Sequence, residues 1–314
     1  MSSSTGPSRQ HDQAGRVVAA HGRDAVVENE DRERIRCRLA GRRHAVVCGD
    51  RVRWTAGETE GGGGTITAVL PRTTELARLN LRGAAEPVAA NLSQLVAVLA
   101  PRPAADFGLC DRYLAAAEWA GLRACVVVNK FDLPDAPALL AAATATYRAA
   151  GYPVVRASRD GEGGVSELAA RLAGETSVLV GQSGVGKSSL TNRLVPGVEA
   201  VVREISEAAS AGRHTTTAST LYHLPGGGEL IDSPGVRDFA PPLPAPREIE
   251  HGFREIAAAA SCRFADCRHL HEPGCAVAAA AADGRIDARR LASYRELLGL
   301  AEQLARPGSP RFRR

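Results

Sequence analysis

Past a polar start, the chain opens with short alternating hydrophobic and polar runs. From Gly15 to Arg78, "GRVVAA", "AVVEN", "RIRCRLA", "HAVVCGDRVRWT" and "GTITAVL" are separated by Gly, Asp, Asn and charged turns. A period of two buries one face of each segment, so this series predicts a small β-barrel. The glycines of "GETEGGGGT" hold no defined strand edge and read as a hairpin tip. The polar stretch "RLNLRGAAEPVAAN" reads as a linker.

The period then changes. "LSQLVAVLAP", "RACVVVNK", "YPVVRAS", "TSVLVGQSG" and "GELIDSPG" are apolar strands. "DRYLAAAEWAG", "ALLAAATATYRAAG" and "VSELAARLAG" between them have helical spacing. Strands alternating with helices predict a parallel α/β sheet. From Pro241, "APREIEHGFREIAAAAS" and "DARRLASYRELLGLAEQLA" predict helices on either side of a Cys/His-rich loop. The predicted organisation is multidomain: a disordered tail (1–14), a β-barrel (15–78), an α/β domain (79–240), a helical domain (241–304) and a basic tail (305–314).

Charge adds little, because 39 Lys and Arg against 35 Asp and Glu leave +4, too weak a balance alone to imply nucleic-acid binding. No apolar run reaches the roughly 18–20 residues of a membrane span, and "MSSSTGPSRQHDQ" lacks the apolar centre of a secretory signal. We therefore expect a soluble, cytoplasmic monomer that does not engage membranes. Seven cysteines without a secretion signal argue against a disulfide framework. Cys37, Cys48, Cys110 and Cys125 sit among apolar neighbours and are expected to be buried. Lysine survives at only two positions, Lys130 and Lys187, and both fall in motifs.

In "VLVGQSGVGKSSL", Gly181, Gly186, Lys187 and Ser188 match G-x4-G-K-[ST] between an apolar strand and a helical pattern. Gly181 through Ser189 (Gln182, Ser183, Gly184 and Val185 among them) would cradle phosphates with backbone N–H groups. Lys187 would reach the outer phosphates, and Ser188 would ligate Mg²⁺. The plain alternative, an incidental glycine turn, does not explain the strand and helix on either side.

Asn129, Lys130 and Asp132 of "NKFDL" match N-K-x-D at the end of a buried strand. A carboxylate at Asp132 would accept from the N1–H and amino group of guanine, a donor pair adenine lacks. Asn129 would hold the base loop, and the stem of Lys130 would pack along the base. Ala157 and Ser158 of "RASRDGEGG" would complete the pocket. Alone, N-K-x-D is a common accident; beside a phosphate loop it predicts GTP and GDP as ligands.

Asp232 and Gly235 form a D-x-x-G, for the Mg²⁺ shell and γ-phosphate sensing respectively. One threonine of Thr215, Thr216 and Thr217 in the small-residue loop before it would reach Mg²⁺, with Thr216 favoured. Val236 stands where Ras-like enzymes place a water-orienting glutamine, which leaves His214 as the nearest polar candidate, against a structural or RNA-contacting role. Gly184 stands where potassium-activated GTPases commonly have Asn. Slow, partner-stimulated hydrolysis is expected.

"CRFADCRHLHEPGC" offers Cys262, Cys267, His269 and Cys275, three thiolates and an imidazole suited to a closed, structural zinc site. His271 is an alternative fourth ligand.

The motif order is unusual. The guanine motif precedes the phosphate loop, which a sheet tolerates if its old termini are joined and new ones opened elsewhere. The chain therefore reads as a circular permutation, with the D-x-x-G leading directly into the Cys/His domain. Permutation, barrel and Cys3His loop together resemble the small ribosomal subunit biogenesis GTPase family, RsgA, over about residues 15–300. The motifs carrying this are Gly49–Asp50, "ANLSQ", "DRYL", "NKFDL", "GQSGVGKSSL", "GRHTTT", "DSPG" and the cysteine loop. Ser93 departs from the acidic residue of the family's "ANVDQ". The resemblance implies an oligonucleotide-binding-type barrel, GTP hydrolysis stimulated by the small ribosomal subunit, rRNA contacts and a late maturation role. Independent support for RNA is softer: Arg51, Arg53 and Trp54 on the barrel, arginines about the cysteine loop, and an arginine tail. A GTP-gated RNA-binding switch with incidental turnover is the competing reading, motivated by Val236. A metabolic P-loop kinase conflicts with Asn129–Asp132.

Overall fold

The computed structural model describes residues 12–22, 24–40, 45–57, 63–80, 83–158, 164–201, 219–232 and 241–306. Strands β1 (Gln13–His21), β2 (Asp24–Glu28), β3 (Arg34–Leu39), β4 (Arg51–Ala56) and β5 (Gly64–Val69) pair in the order β1-β2-β3-β5-β4. The antiparallel β1–β4 pairing closes them into a barrel. Alternation decides which side chains fill it: Val17, Val27, Cys37, Val52, Trp54 and Ile66 point inward, while Arg36, Arg38, Arg51 and Arg53 stay exposed.

Two expectations shift here. Strand β1 begins at Gln13, paired with Trp54, inside the stretch read as disordered. "HAVVCGDRVRWT" is not one strand, because it turns at Cys48–Gly49 before β4. Asp50, fully buried at that turn, accepts from the Val47 N–H at 2.9 Å and from Arg72 Nε and Nη2 at 2.7 and 2.9 Å. A buried carboxylate needs such a partner.

The expected linker is a hairpin instead. Strands β6 (Glu75–Leu79) and β7 (Ala85–Ala90) pair antiparallel from Glu75↔Ala90 to Leu79↔Ala85. Asn80 sets the turn, its side-chain Oδ1 accepting from the Ala84 N–H at 3.0 Å. Small and charged residues hid the alternation, although Leu76, Val88 and Ala89 are buried.

The central unit runs β8 (Gln94–Leu99), α1 (Phe107–Trp119), β9 (Arg123–Val128), α2 (Ala136–Ala143) with a π turn (Thr144–Arg148), and β10 (Val154–Arg156). It continues through α3 (Ser166–Leu172), β11 (Thr176–Val180), α4 (Lys187–Leu194), β12 (Ser219–His223) and β13 (Glu229–Asp232). The sheet order is β10-β9-β8-β11-β13-β12. All neighbours are parallel except β12, which lies antiparallel to β13. Burial on both faces explains the near-continuous apolar runs of β8 and β9. Strand β12 was not anticipated, since the Ser/Thr-rich run before it masks its start. It also pairs with β1 of the barrel, Ala19↔Thr220 and Ala20↔Ser219, so barrel and sheet form one hydrogen-bonded surface.

The C-terminal unit holds a 3₁₀ helix (Pro246–Gly252), α5 (Arg254–Ala259), α6 (Ala276–Ala282) and α7 (Ala288–Ala305). The single helix expected over "APREIEHGFREIAAAAS" is broken at Phe253, whose backbone is extended at φ −129°. Ile249, Phe253 and Ile256 still reach one core. Cys37, Cys48, Cys110 and Cys125 are all buried, as expected, and burial pushes the thiols of Cys37, Cys110 and Cys125 up to about 12 and raises that of Cys48 as well, which disfavours the reactive thiolate. Among the described residues no helix is long and apolar enough to cross a membrane.

Candidate nucleotide site and metal cluster

The phosphate loop leaves the middle of the sheet. Strand β11 lies between β8 and β13, and the loop follows it directly into α4. At Gly181 the backbone passes so close to the Val98 carbonyl of β8 that any Cβ would overlap it. Gly186 caps α4 with φ +97°, and a Cβ there would lie 2.5 Å from Asn129 Nδ2. Both positions therefore require glycine. Lys187 is buried, and its ammonium donates to the carbonyls of Gly181 and Gln182, the latter at 2.9 Å. Val185 packs into the core beneath, whereas Ser183, Gly184, Ser188 and Ser189 are exposed.

Strand β9 delivers the other motif to the same place. Asn129 is buried and donates from Nδ2 to the Val185 carbonyl at 2.8 Å. Its Oδ1 is buried without a hydrogen-bond partner among the described residues, an acceptor that suits a polar ligand at this seam. Lys130, at φ +57°, donates to the carbonyls of Gly184 (2.8 Å) and Arg102 (2.7 Å). The base motif and the phosphate loop are thus clamped together by two side chains. Arg102, on the loop after β8, escaped the sequence reading because it contributes only a backbone carbonyl.

Asp132 is exposed, and its Oδ1 accepts from the Ser158 hydroxyl at 2.7 Å. A carboxylate has about four lone-pair positions, and the serine uses one. Ala157 backs this pair from the core, its N–H donating to Val128 and its carbonyl accepting from Phe131. Asp132, Ala157 and Ser158 are therefore adjacent. Asp232 ends β13, next to the strand that carries the phosphate loop. His214, Thr215, Thr216, Thr217, Gly235 and Val236 lie outside the described residues.

Polar bridges tie the barrel to the sheet at the starting ends of β11 and β13, opposite the phosphate loop. Arg16 of β1 contacts Glu229 at 2.8 Å and donates to Thr176 at 3.3 Å. His223 of β12 lies 2.6 Å from Glu28 of β2. The departure at Ser93 also has a local answer. The Ser93 hydroxyl donates to Glu175 at 2.5 Å and accepts from the Thr176 N–H at 2.9 Å, while Glu175 pairs with Arg123 at 2.7 Å. A carboxylate still reaches this point, supplied by Glu175.

In the C-terminal unit, Cys262, Cys267, His269 and Cys275 converge, with one ligand atom from each within 4.8 Å of the others. The Sγ atoms of Cys262 and Cys275 are 3.9 Å apart, and His269 Nδ1 lies 3.5 and 3.4 Å from them. Three thiol groups and an imidazole at this spacing fit the tetrahedral shell of a zinc ion, with Zn–S near ~2.3 Å. His271 is exposed and outside the cluster. Two partners escaped the sequence reading. Glu250 lies 3.0 Å from His269 Nε2, which turns Nδ1 toward the cysteines. Glu272 accepts from the N–H groups of Arg268, Leu270 and His271, which pulls its carboxyl down to about 2. No motif spacing links Glu250 to the cysteines, so only the fold reveals it.

This unit is bolted to α1 by a buried ionic cluster. Arg290 of α7, 1% exposed, donates to Glu255 at 2.7 and 3.1 Å and to Asp111 of α1 at 3.2 Å. Asp111, fully buried, also accepts from Ser293 at 2.7 Å and Tyr147 at 2.9 Å. The "DRYL" stretch thus supplies an anchor between units.

A phosphate loop clamped to a guanine-type motif, on a sheet whose base-side strand comes first in the chain, defines a circularly permuted P-loop GTPase. The chain belongs to the RsgA GTPase family, whose model matches residues 69–241, and it is a GTP hydrolase. It is 49% identical over 294 residues to the small ribosomal subunit biogenesis GTPase RsgA of Azotobacter vinelandii, covering 91% of this chain and 85% of that one. Identity to the protein of the same name from Pseudomonas fluorescens is 48% over 295 residues, with the same coverage. Among solved structures, YjeQ from Thermotoga maritima superposes with a TM-score of 0.74 at 31% identity, over 95% of this chain and all of that one. YloQ, a circularly permuted GTPase, gives 0.72 at 26% identity, over 97% of this chain and all of that one.

Proposed function

We propose that this chain hydrolyses GTP to GDP and phosphate in the late maturation of the small ribosomal subunit, stimulated by that subunit and in contact with its rRNA. The observation that carries the guanine-nucleotide reading is the double clamp of Asn129 on Val185 and Lys130 on Gly184. It supports a base-selective motif and a phosphate loop that serve one ligand. The names of the relatives supply the subunit.

In this reading Asp132, oriented by Ser158, accepts from the guanine edge, with Ala157 and the stem of Lys130 beside it. Residues Gly181 through Ser189 cradle the phosphates, and Lys187 leaves its carbonyl partners for phosphate oxygens. Oxygen donors suit Mg²⁺. Ser188 lies in the first turn of α4 and Asp232 ends β13, and with Thr216 they would hold the ion, which would neutralise phosphate charge. Gly235 reads the γ-phosphate. His214 orients the water that attacks the γ-phosphorus as the bond to the bridging oxygen breaks. Cys262, Cys267, His269 and Cys275 hold one structural zinc ion. The barrel, with exposed Arg36, Arg38, Arg51 and Arg53, supplies an electrostatic footprint for RNA. The chain works as a cytoplasmic monomer away from membranes.

The test is GTP turnover by the purified chain with and without small ribosomal subunits. Stimulation by the small subunit and not by the large one is expected, and equal turnover in all conditions would overturn the reading. His214→Ala should depress turnover while leaving GTP affinity intact.

A further inference from the structure

One arginine of the barrel reaches both strands that lead to the nucleotide motifs. Arg16 of β1 places Nη1 2.8 Å from Glu229 and donates from Nη2 to the Thr176 hydroxyl at 3.3 Å, and that hydroxyl donates in turn to Glu229 at 2.7 Å. Thr176 starts β11, which runs into the phosphate loop, and Glu229 starts β13, which ends at Asp232. The two are register partners. Glu229 and Asp232 are three residues apart on an extended strand, about 10 Å. His223, the register partner of Glu229 on β12, extends the same row. Its Nε2 lies 2.6 Å from Glu28 of β2 and its Nδ1 3.9 Å from Glu229, while Arg34 of β3 stands 3.5 Å from Glu28. Basic and acidic groups therefore alternate across the seam between barrel and sheet. The Arg16 and Glu229 side chains are only 23% and 16% exposed, so this pair is engaged within the protein rather than presented to a partner. In the barrel, Arg16 is in register with Glu28 on one side and with Arg51 on the other, and Arg51 belongs to the exposed outer face. At the opposite end of β13, Asp232 pairs with Thr220, which pairs in turn with Ala19 of β1. Strand β1 thus acts on β13 near both of its ends.

We propose that Arg16 is a positioning residue for GTP hydrolysis: a partner that engages the barrel and shifts β1 moves Glu229 and Thr176 through Arg16, and so resets Asp232 and the phosphate loop at the far ends of the same strands. Strand β13 has four residues and β11 five, and each is hydrogen-bonded on both edges. Such short, doubly paired strands move as units, so a displacement at one end appears at the other. Coupling between two sites also needs an element with two arrangements that both sites can bias. The seam offers one, because His223 faces Glu28 closely here and has Glu229 as its alternative partner. The inference rests on the subunit-stimulated turnover proposed above and names the route by which stimulation reaches the nucleotide.

The experiment measures GTP turnover by the full-length chain, alone and with saturating small ribosomal subunits, for the parent, Arg16→Ala, Arg16→Lys, Glu229→Gln and the double variant Arg16→Ala with Glu229→Gln. Co-sedimentation with subunits and urea unfolding accompany each. A coupling of ordinary strength between two sites is worth about 5- to 150-fold. Arg16→Ala should lower the ratio of stimulated to intrinsic kcat by a factor in that range, while KM for GTP and affinity for the subunit stay close to the parent's. Glu229→Gln, which is isosteric and carries the test should Arg16→Ala fail to fold, should lower the ratio likewise. The double variant should lose no more than either single one, because both remove the same contact. Arg16→Lys keeps the charge toward Glu229 but lacks a second arm for Thr176, and should restore part of the ratio. A parent-like ratio in Arg16→Ala or Glu229→Gln, with or without a lower urea midpoint, would make the pair a matter of stability alone and overturn the proposal. Losses that add in the double variant would also overturn it, as would a deficit that disappears once the subunit is saturating, since Arg16 would then be a contact residue. Absence of stimulation in the parent is a separate result, which removes the function on which the proposal rests.

Discussion

Lys130 Nζ donates to the Gly184 carbonyl at 2.8 Å, so one of the chain's two lysines holds the loop that contains the other. Each such bond from a charged donor contributes about 1.5–3 kcal/mol. Lys130→Ala should therefore lower GDP and GTP affinity together by at least about tenfold, as measured with fluorescent nucleotides. Lys130→Arg should not restore it, because a planar guanidinium cannot point a single donor head between the Gly184 and Arg102 carbonyls.

Asp132 should decide the base. Asp132→Asn presents an amide donor where the carboxylate accepted, and competition binding should show preference moving from guanine toward xanthine nucleotides. Ser158→Ala should weaken GTP by less, since it removes only the hydroxyl that orients Asp132.

The Asp111–Arg290 pair should be costly to break from one side. With both groups buried, removing one leaves an unpaired charge, a loss of about 3–5 kcal/mol. Arg290→Ala should lower the midpoint of urea unfolding sharply, and Asp111→Asn should do so to a smaller degree because Ser293 and Tyr147 can still bond to the amide. Replacing Asp111, Glu255 and Arg290 together by apolar residues of similar volume should recover much of the loss.

The metal cluster predicts one zinc ion per chain by elemental analysis. Chelation should unfold the cysteine loop while the nucleotide site still binds GDP. Glu250→Gln, which weakens the grip on His269 Nε2, should lower zinc affinity by about 10–100-fold in a competition assay with a chromophoric chelator.

Asp287 caps α7, accepting from the Arg289 N–H at 2.8 Å and from the Thr146 hydroxyl at 2.5 Å. Burial opposes its ionisation, but these bonds outweigh burial and hold its carboxyl below the usual value of 3.8. A depressed folded-state value means the stabilisation is complete above the unfolded value and is lost as pH falls through the folded one. Asp287→Ala should cost about 0.5–2 kcal/mol at neutral pH. The difference from the parent in urea unfolding should shrink as pH falls below about 4.

Local chemistry was legible in the chain. Phosphate loop, base motif and cysteine loop each place their candidate groups within a few residues, so spacing read together with the flanking strand and helix patterns singled them out, and the apolar runs of β8, β9 and β11 announced a buried parallel sheet. Motif order carried the permutation, because order is a property of the chain and not of the fold. The β6–β7 hairpin and β12 were missed where Ala, Ser, Thr and Arg dilute the hydrophobic contrast on which periodicity depends.

What the tertiary structure alone decided are contacts between groups far apart in sequence. Arg102 reaches Lys130 through a backbone carbonyl, a group every residue possesses. Glu250 orients His269, Glu175 answers Ser93, and Arg290 finds Asp111 179 positions away. Pairings of this kind leave no periodic trace, because they are selected by how three units pack and by the cost of burying a charge without a partner. The amino-acid sequence determines which chemistry this protein carries. The fold determines which carbonyls and carboxylates hold that chemistry in position.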